Sequence, residues 1–187
     1  MTDVIAPDTV LNFWFTEHGE SDWWQGGPAF DAKVSDNFAE TLAAAGAGEL
    51  SHWRDTPHGR LAEIIVLDQF SRQIHRGFGQ AYSYDRQALA LAQEAVRQGY
   101  DQQLTAEQRH FLLMPYMHAE SLKVHDDGLP LFKALGLDDA FKFATGHRDV
   151  IERFGRYPTR NAALGRENTP AEAAYLDERD PDGQSPV

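Results

Sequence analysis

Between His58 and Arg76 the chain reads HGRLAEIIVLDQFSRQIHR, and its apolar side chains leave no face of a helix free. Leu61, Ile64, Ile65, Val66, Leu67, Phe70 and Ile74 spread all around a 3.6-residue period, the mark of a helix buried on every side rather than laid on a surface. Other elements have to surround such a segment, so the stretch predicts the central helix of an all-helical domain. Thr56 can cap its first free amides, Pro57 suits its first turn, and Gly77 ends it. In projection Asp68, Arg72 and His75 share a side with Leu61, Ile64 and Ile65. Burying charge is costly unless it is paired, so this side meets a polar network or lines a cavity.

The rest of the chain supplies helices to pack around it. Asp8 to His18 puts Val10, Leu11, Trp14 and Phe15 on one stripe with Asp8 placed as a cap, and Phe30, Val34, Phe38 and Leu42 recur every four residues between Pro28 and Ala45. Thr16 to Gly27, with Trp23 and Trp24, reads as a loop, and Leu50 with Trp53 as a short turn. Tyr84 to Gln98 carries Ala88, Leu89, Ala92, Ala95 and Val96 on a stripe of mainly small residues, which admits a close neighbour and also allows self-association. Thr105 and Gln108 form a capping box, and Pro115 predicts a kink or a fresh helix near Met114 to Tyr116. Asp126-Asp127-Gly128 reads as a turn before a short helical piece from Leu129 to Leu135. Asp138 is placed to cap a helix over Asp139 to Phe154, whose Phe143, His147, Val150 and Phe154 share a face, and Gly155 closes it. Thr169, Pro170 and Glu172 start a last helix that runs to about Glu178. No run alternates as a half-buried strand does. The predicted fold class is therefore all-α, with about seven to nine helices and no sheet. One domain is expected over residues 1–178, followed by a disordered tail at 179–187.

Composition removes several function classes. The 187 residues are 42% hydrophobic with four Trp and eleven Phe, enough for one sizeable core. Cysteine is absent, which excludes disulfides, thiolate zinc sites, iron–sulfur clusters and cysteine nucleophiles. No stretch approaches the roughly 20 apolar residues that cross a bilayer, and MTDVIAPD does not open like a signal peptide, so a soluble cytoplasmic protein is expected. The net charge of −12 disfavours nucleic acid and anionic membranes as partners. Even so, Arg148, Arg153, Arg156, Arg160 and Arg166 crowd one short stretch, and arginine outnumbers lysine thirteen to four. Arginine grips a carboxylate or phosphate at two points, although GC-rich coding alone also enriches it.

Three motifs in order, LDQFSRQIHRG, RHFLLMPYMHAES and HRDVIERFGRYPTRNAALGR, resemble the bacterial domain-of-unknown-function family 924. The likeness runs from Asn12 to about Leu176, with Gln73 standing where that family usually shows Asn and Thr159 where it often shows His. The resemblance implies a bundle of helix pairs similar to the tetratricopeptide superhelix. It brings no activity, cofactor or catalytic residue. The chain itself shows no second copy of YDRQALALAQEAV at the roughly 34-residue period of a regular array.

Several residues are candidates for chemistry. Asp68 and Arg72 lie one helical turn apart. Asp68 would act as a general base, or orient a histidine while Arg72 and Arg76 hold an anion; equally, the pair would fix the packing of the central helix. Asp68 or Glu120 with His118 or His147 would make an acid–base set, and either histidine also reads as a core residue satisfied by one hydrogen bond. No H-E-x-x-H occurs among eight histidines, and His125-Asp126 lacks the partner motif of helical metal phosphohydrolases, so no metal site is predicted and the cofactor is unknown. The loop GRYPTRNAALGREN turns at Gly155, Pro158 and Gly165. Its Arg153, Arg156, Arg160 and Arg166, with Arg72, Arg76 and Arg109 from other helices, would build a cationic pocket, or else fasten the loop to carbonyls and carboxylates.

The leading expectation is a pocket for a small carboxylate- or phosphate-bearing molecule, walled by Arg72, Arg76, Arg109, Arg156 and Arg160, with Asp68, His118 and His147 placed for proton transfer. The alternative is a tetratricopeptide-like adaptor that binds a protein partner in a groove without chemistry. Whether the chain is an enzyme or a homo-oligomer is not legible at this level.

Overall fold

A helix that is apolar all round can be stable in water only as an inner element, and the computed structural model, which describes residues 5–179, places it there. The central rod consists of α4 (Pro57–Ile65), one π-helical turn (Val66–Phe70) and α5 (Ser71–Ile74). Every residue from Gly59 to Ser71 is buried. The Thr56 hydroxyl accepts from the Gly59 amide at 3.0 Å, and Pro57 occupies the first turn. In the π turn the Ser71 amide donates to the Val66 carbonyl, five residues back, so one extra residue is wound into the rod beside Asp68.

Around the rod stand α1 (Pro7–Asn12), continued by a second π turn (Phe13–Glu17), α2 (Glu20–Gln25), α3 (Pro28–Gly46), α6 (Asp85–Arg97) and α7 (Ala106–His118). Outside α7 follow α8 (Leu122–Lys133), α9 (Asp138–Phe154) and α10 (Pro170–Arg179). Helices α1, α3, α6 and α7 pack on the rod, and α6 to α9 each pack on the next. With the rod counted as one, the described residues form nine helices and no strand. Most of their buried apolar side chains make one connected cluster from Val10 to Ala144.

Several boundaries differ from the sequence reading, each for a tertiary reason. Trp23 and Trp24 sit in α2 rather than in a loop; the Trp23 indole donates to the Trp14 carbonyl at 3.0 Å and ties that helix to the core. Pro115 starts no fresh helix, because Phe111 to Met117 are all buried and packing on both sides offsets the lost backbone bond. Gly128 is no turn either. A Cβ there would come 2.9 Å from the Tyr116 Cβ, so the glycine is a notch that lets α8 lie on α7, and α8 runs through it and Pro130. Asp8 and Asp138 cap nothing; Ala6 and Leu137 hold those positions, and each acid lies in the first turn, where it suits the helix dipole. The capping boxes at Thr105 and Thr169 are present. Arg179 belongs to α10, and the rest of the expected tail lies outside the described residues.

On α7, His110 is enclosed by the rings of Trp24, Phe111 and Phe132. Burial pushes its pKa from 6.5 down to about 4, so the folded chain keeps it neutral where the unfolded chain protonates it. The unfolded state then binds more protons below pH 6.5, and stability falls as pH drops through that window toward 4. Urea unfolding at pH 7 and pH 5 should show His110→Phe losing about 1–2 kcal/mol less than the parent chain. Identical losses in both would mean that His110 titrates normally.

Candidate functional site

The π turn and the last residue of α7 bring two groups together that are fifty residues apart: His118 Nδ1 lies 2.8 Å from Asp68 Oδ1. Asp68 is wholly buried. Gln69 Nε2 donates to its Oδ2 at 2.6 Å, and Arg72 Nη1 lies 3.2 Å from its Oδ1 while donating to its carbonyl at 2.5 Å. Burial alone would push the Asp68 carboxyl up, but the Arg72 guanidinium and the His118 and Gln69 hydrogen bonds outweigh it, and the group stays well below the usual carboxylate range. Burial pushes His118 down to about 4. The dyad at neutral pH is thus an ionised Asp68 and a neutral His118. An ionised carboxylate only accepts, so Nδ1 must carry the proton and Nε2 the lone pair. Nε2 has no protein partner among the described residues.

Asp85, in the first turn of α6, holds two arginines from different parts of the chain. Arg72 Nη2 approaches it at 3.0 Å, and Arg160 Nη1 donates to it at 3.0 Å from the short 3-10 turn Pro158–Arg160. The Arg160 guanidinium lies between the rings of Tyr82 and Tyr157, 4.5 and 4.6 Å from their centroids. Its Nε and Nη2 make no hydrogen bond among the described residues. These groups border a cleft of about 980 Å³ whose lining includes Arg72, Arg76, His118, His147, Tyr157 and Arg160.

His147 stands on the α9 wall, its ring 6.5 Å from that of His118, and donates Nδ1–H to the Phe143 carbonyl at 2.8 Å. Burial holds its pKa below the ordinary value. Arg76 lines the cleft too, although Asp31 holds it at 2.6 and 2.8 Å. The other arginines named from the sequence do not line it. Arg109 pairs with buried Asp101 at 3.3 Å, and Arg153 lies over Phe154 and Tyr175. Arg156 clamps Glu172 at 2.7 and 2.9 Å, which pins the start of α10. Arg166 holds Glu120 at 2.7 and 2.9 Å, and Glu120 in turn accepts from the Tyr157 amide at 2.8 Å. Arg156, Arg166 and Glu120 therefore fasten the loop after α9, while Arg160 alone of that loop's arginines turns inward.

Three contributors escaped the sequence reading. Asp85 carries no signal in the sequence, because its partners are 13 and 75 residues away. Tyr82 and Tyr157 carried no signal beyond being aromatic. His125, noted with Asp126, is a structural bolt: its Nε2 lies 2.9 Å from the Ala119 carbonyl, which it can only meet as donor, and 3.2 Å from the Tyr157 hydroxyl. Among the described residues no group of three or more His, Asp or Glu side chains is placed to hold a metal. Of the two departures from the family pattern, Thr159 lines the cleft, and Gln73 is buried with its Oε1 unpartnered.

Fold and site together define an all-helical protein with a buried Asp–His pair and an inward arginine at the mouth of a cleft. The chain belongs to the family described as bacterial protein of unknown function (DUF924), which matches residues 10–180. It is similar to the solved structure of the protein of unknown function ATU0120 from Agrobacterium tumefaciens, at 37% identity and a TM-score of 0.87, over 92% of this chain and 97% of that one. No curated protein matches it. No helix among the described residues is long and apolar enough to cross a membrane.

Proposed function

We propose that the cleft binds a small anionic molecule through Arg160 and Arg72 and that the Asp68–His118 pair transfers a proton there. The observation that carries this reading is Arg160: three of its surroundings, Asp85, Tyr82 and Tyr157, hold the guanidinium still while leaving Nε and Nη2 undirected at protein atoms. A pre-positioned donor pair of this kind matches a carboxylate or phosphate edge at little cost in side-chain freedom. Beside it, the neutral His118 has its tautomer set by Asp68 and its Nε2 free to act as a base. A cytoplasmic setting and a tetratricopeptide-like pairing of α6 to α9 belong to the same reading.

Binding is tested by a melting-temperature screen of carboxylates and inorganic phosphate. An anion at one hundred times its Kd should raise Tm by about 5–10 °C, and Arg160→Met should remove that rise. The reading fails if no anion moves Tm or if the rise survives in Arg160→Met. The base is tested by imidazole ¹⁵N shifts at pH 7, which should show His118 protonated on Nδ1 and bare on Nε2.

A further inference from the structure

Helix α9 supplies one wall of the cleft, and not with the side that it buries. Helix α9 buries Ala140, Ala144 and Ile151 against the rest of the protein. Its Phe143 and Val150, with Gly146 and His147 between them, recur at i, i+3, i+4 and i+7 and line the cleft instead. Phe143 is 64% exposed there, while Ala140, Ala144 and Ile151 fill the core side. Phe143 and Gly146 are exposed and His147 and Val150 half-buried, so protein covers this stripe only in part, and its open portion is a surface available to a ligand.

Gly146 adds an independent observation. It lies inside α9, where glycine weakens a helix by about 1 kcal/mol relative to alanine. Neither of the usual reasons for glycine holds: its φ is not positive, and a Cβ placed on it would meet no atom within 4 Å. What the missing side chain does is leave bare helix backbone facing the cleft, room that a bound molecule can use.

The charges set the head of that molecule. Arg72 and Arg160 face Asp68 and Asp85, so the inner cluster is balanced with His118 neutral. The exposed lining cations Lys142 and Arg179 are equalled in number by the lining acids Asp139 and Asp149. Such a site has donors to offer but little net positive field, which suits a single negative charge and not a phosphate dianion.

Building on the anion-binding reading above, we infer that the ligand is a monocarboxylate joined to an apolar acyl or aryl body, its head on Arg160 and its body along the Phe143, Gly146 and Val150 face of α9. The inference therefore selects one chemistry from the two that the arginines alone would accept.

Calorimetric titration of the full chain with acetate, butyrate, hexanoate, octanoate, octanol and inorganic phosphate tests it. Kd should fall roughly two- to fourfold per added methylene, since each methylene gains transfer free energy on burial. Octanol should not bind, and phosphate should bind more weakly than hexanoate. Gly146→Leu, which restores a good helix former and fills the slot, should keep or raise Tm while flattening the chain-length series. An undiminished series in Gly146→Leu overturns the placement of the body. Anions that bind with no gain along the series, or phosphate binding tightest, overturn the inference and leave the anion cleft standing. If no carboxylate and no phosphate binds, both fall.

Discussion

Asp68→Ala should lower the free energy of unfolding by about 3–5 kcal/mol, because removing one member of a buried charge cluster strands the others. Asp68 is fully buried and is met by Arg72, His118 and Gln69. Its loss leaves the Arg72 guanidinium with the backbone carbonyl and one of its two carboxylates, Asp85, the His118 imidazole N–H with no acceptor, and the Gln69 amide with only the Met114 sulfur at 3.5 Å. The effect is read as a shift of the urea midpoint at unchanged slope. Replacing Asp68 by Asn separates charge from shape. The side chain keeps one acceptor, but the negative charge that favours protonated His118 disappears, so the imidazole should titrate even lower than about 4, its value in the parent chain. A loss under about 1 kcal/mol for Asp68→Ala would mean that water or a shifted side chain already substitutes for the carboxylate.

Truncating Phe70 to alanine should be of similar size, about 3–5 kcal/mol, through a different mechanism. Phe70 closes the π turn and has no exposed surface. Its ring lies 4.5 Å from Phe38, 5.5 Å from Trp14 and 5.9 Å from Phe13, so it is where α1 and α3 both meet the rod. The cavity left by its ring would be walled by other rings, which cannot move inward without giving up contacts of their own. Phe143→Ala is the matching control. Its side chain is just as large but mostly exposed, and its removal should change stability by no more than about 0.5 kcal/mol. If the two substitutions cost the same, the division of this protein's aromatic residues into core and cleft is wrong.

The comparison between Phe70 and Phe143 shows how far residue patterns carry. Both were apolar positions on periodic helices. For the rod, periodicity was decisive, because a segment apolar all round has only one stable place. For α9 it was ambiguous, because Phe143, His147 and Val150 form a stripe that resembles a core face, whereas the structure buries the small face of Ala140 and Ala144. Small residues win there because they let α9 lie close against α8 and α7, as the stripe of alanines on α6 does against its own neighbours. Pro115 and Gly128 misled for a related reason: local preferences of about 1–3 kcal/mol are overridden when flanking residues are buried.

The candidate site divides in the same way. Asp68, Arg72, His118, His147 and Arg160 were all visible as chemically capable residues, yet so were Arg109, Arg153, Arg156, Arg166 and Glu120, which lie elsewhere. Loop arginines one turn apart are equivalent in sequence. Only the path of residues 155–166 decides that Arg160 points toward Asp85 while Arg156 and Arg166 point toward Glu172 and Glu120.

Residue order by itself determined that this chain is all-helical, which segment lies innermost, and where Thr56, Thr105 and Thr169 begin helices, since hydrophobic period and capping act within a few residues. Which charged groups meet, and that α9 turns its larger apolar face to a cleft, was decided only by the packed chain. Those contacts join positions up to 75 apart, and their energies depend on burial, which no local pattern records.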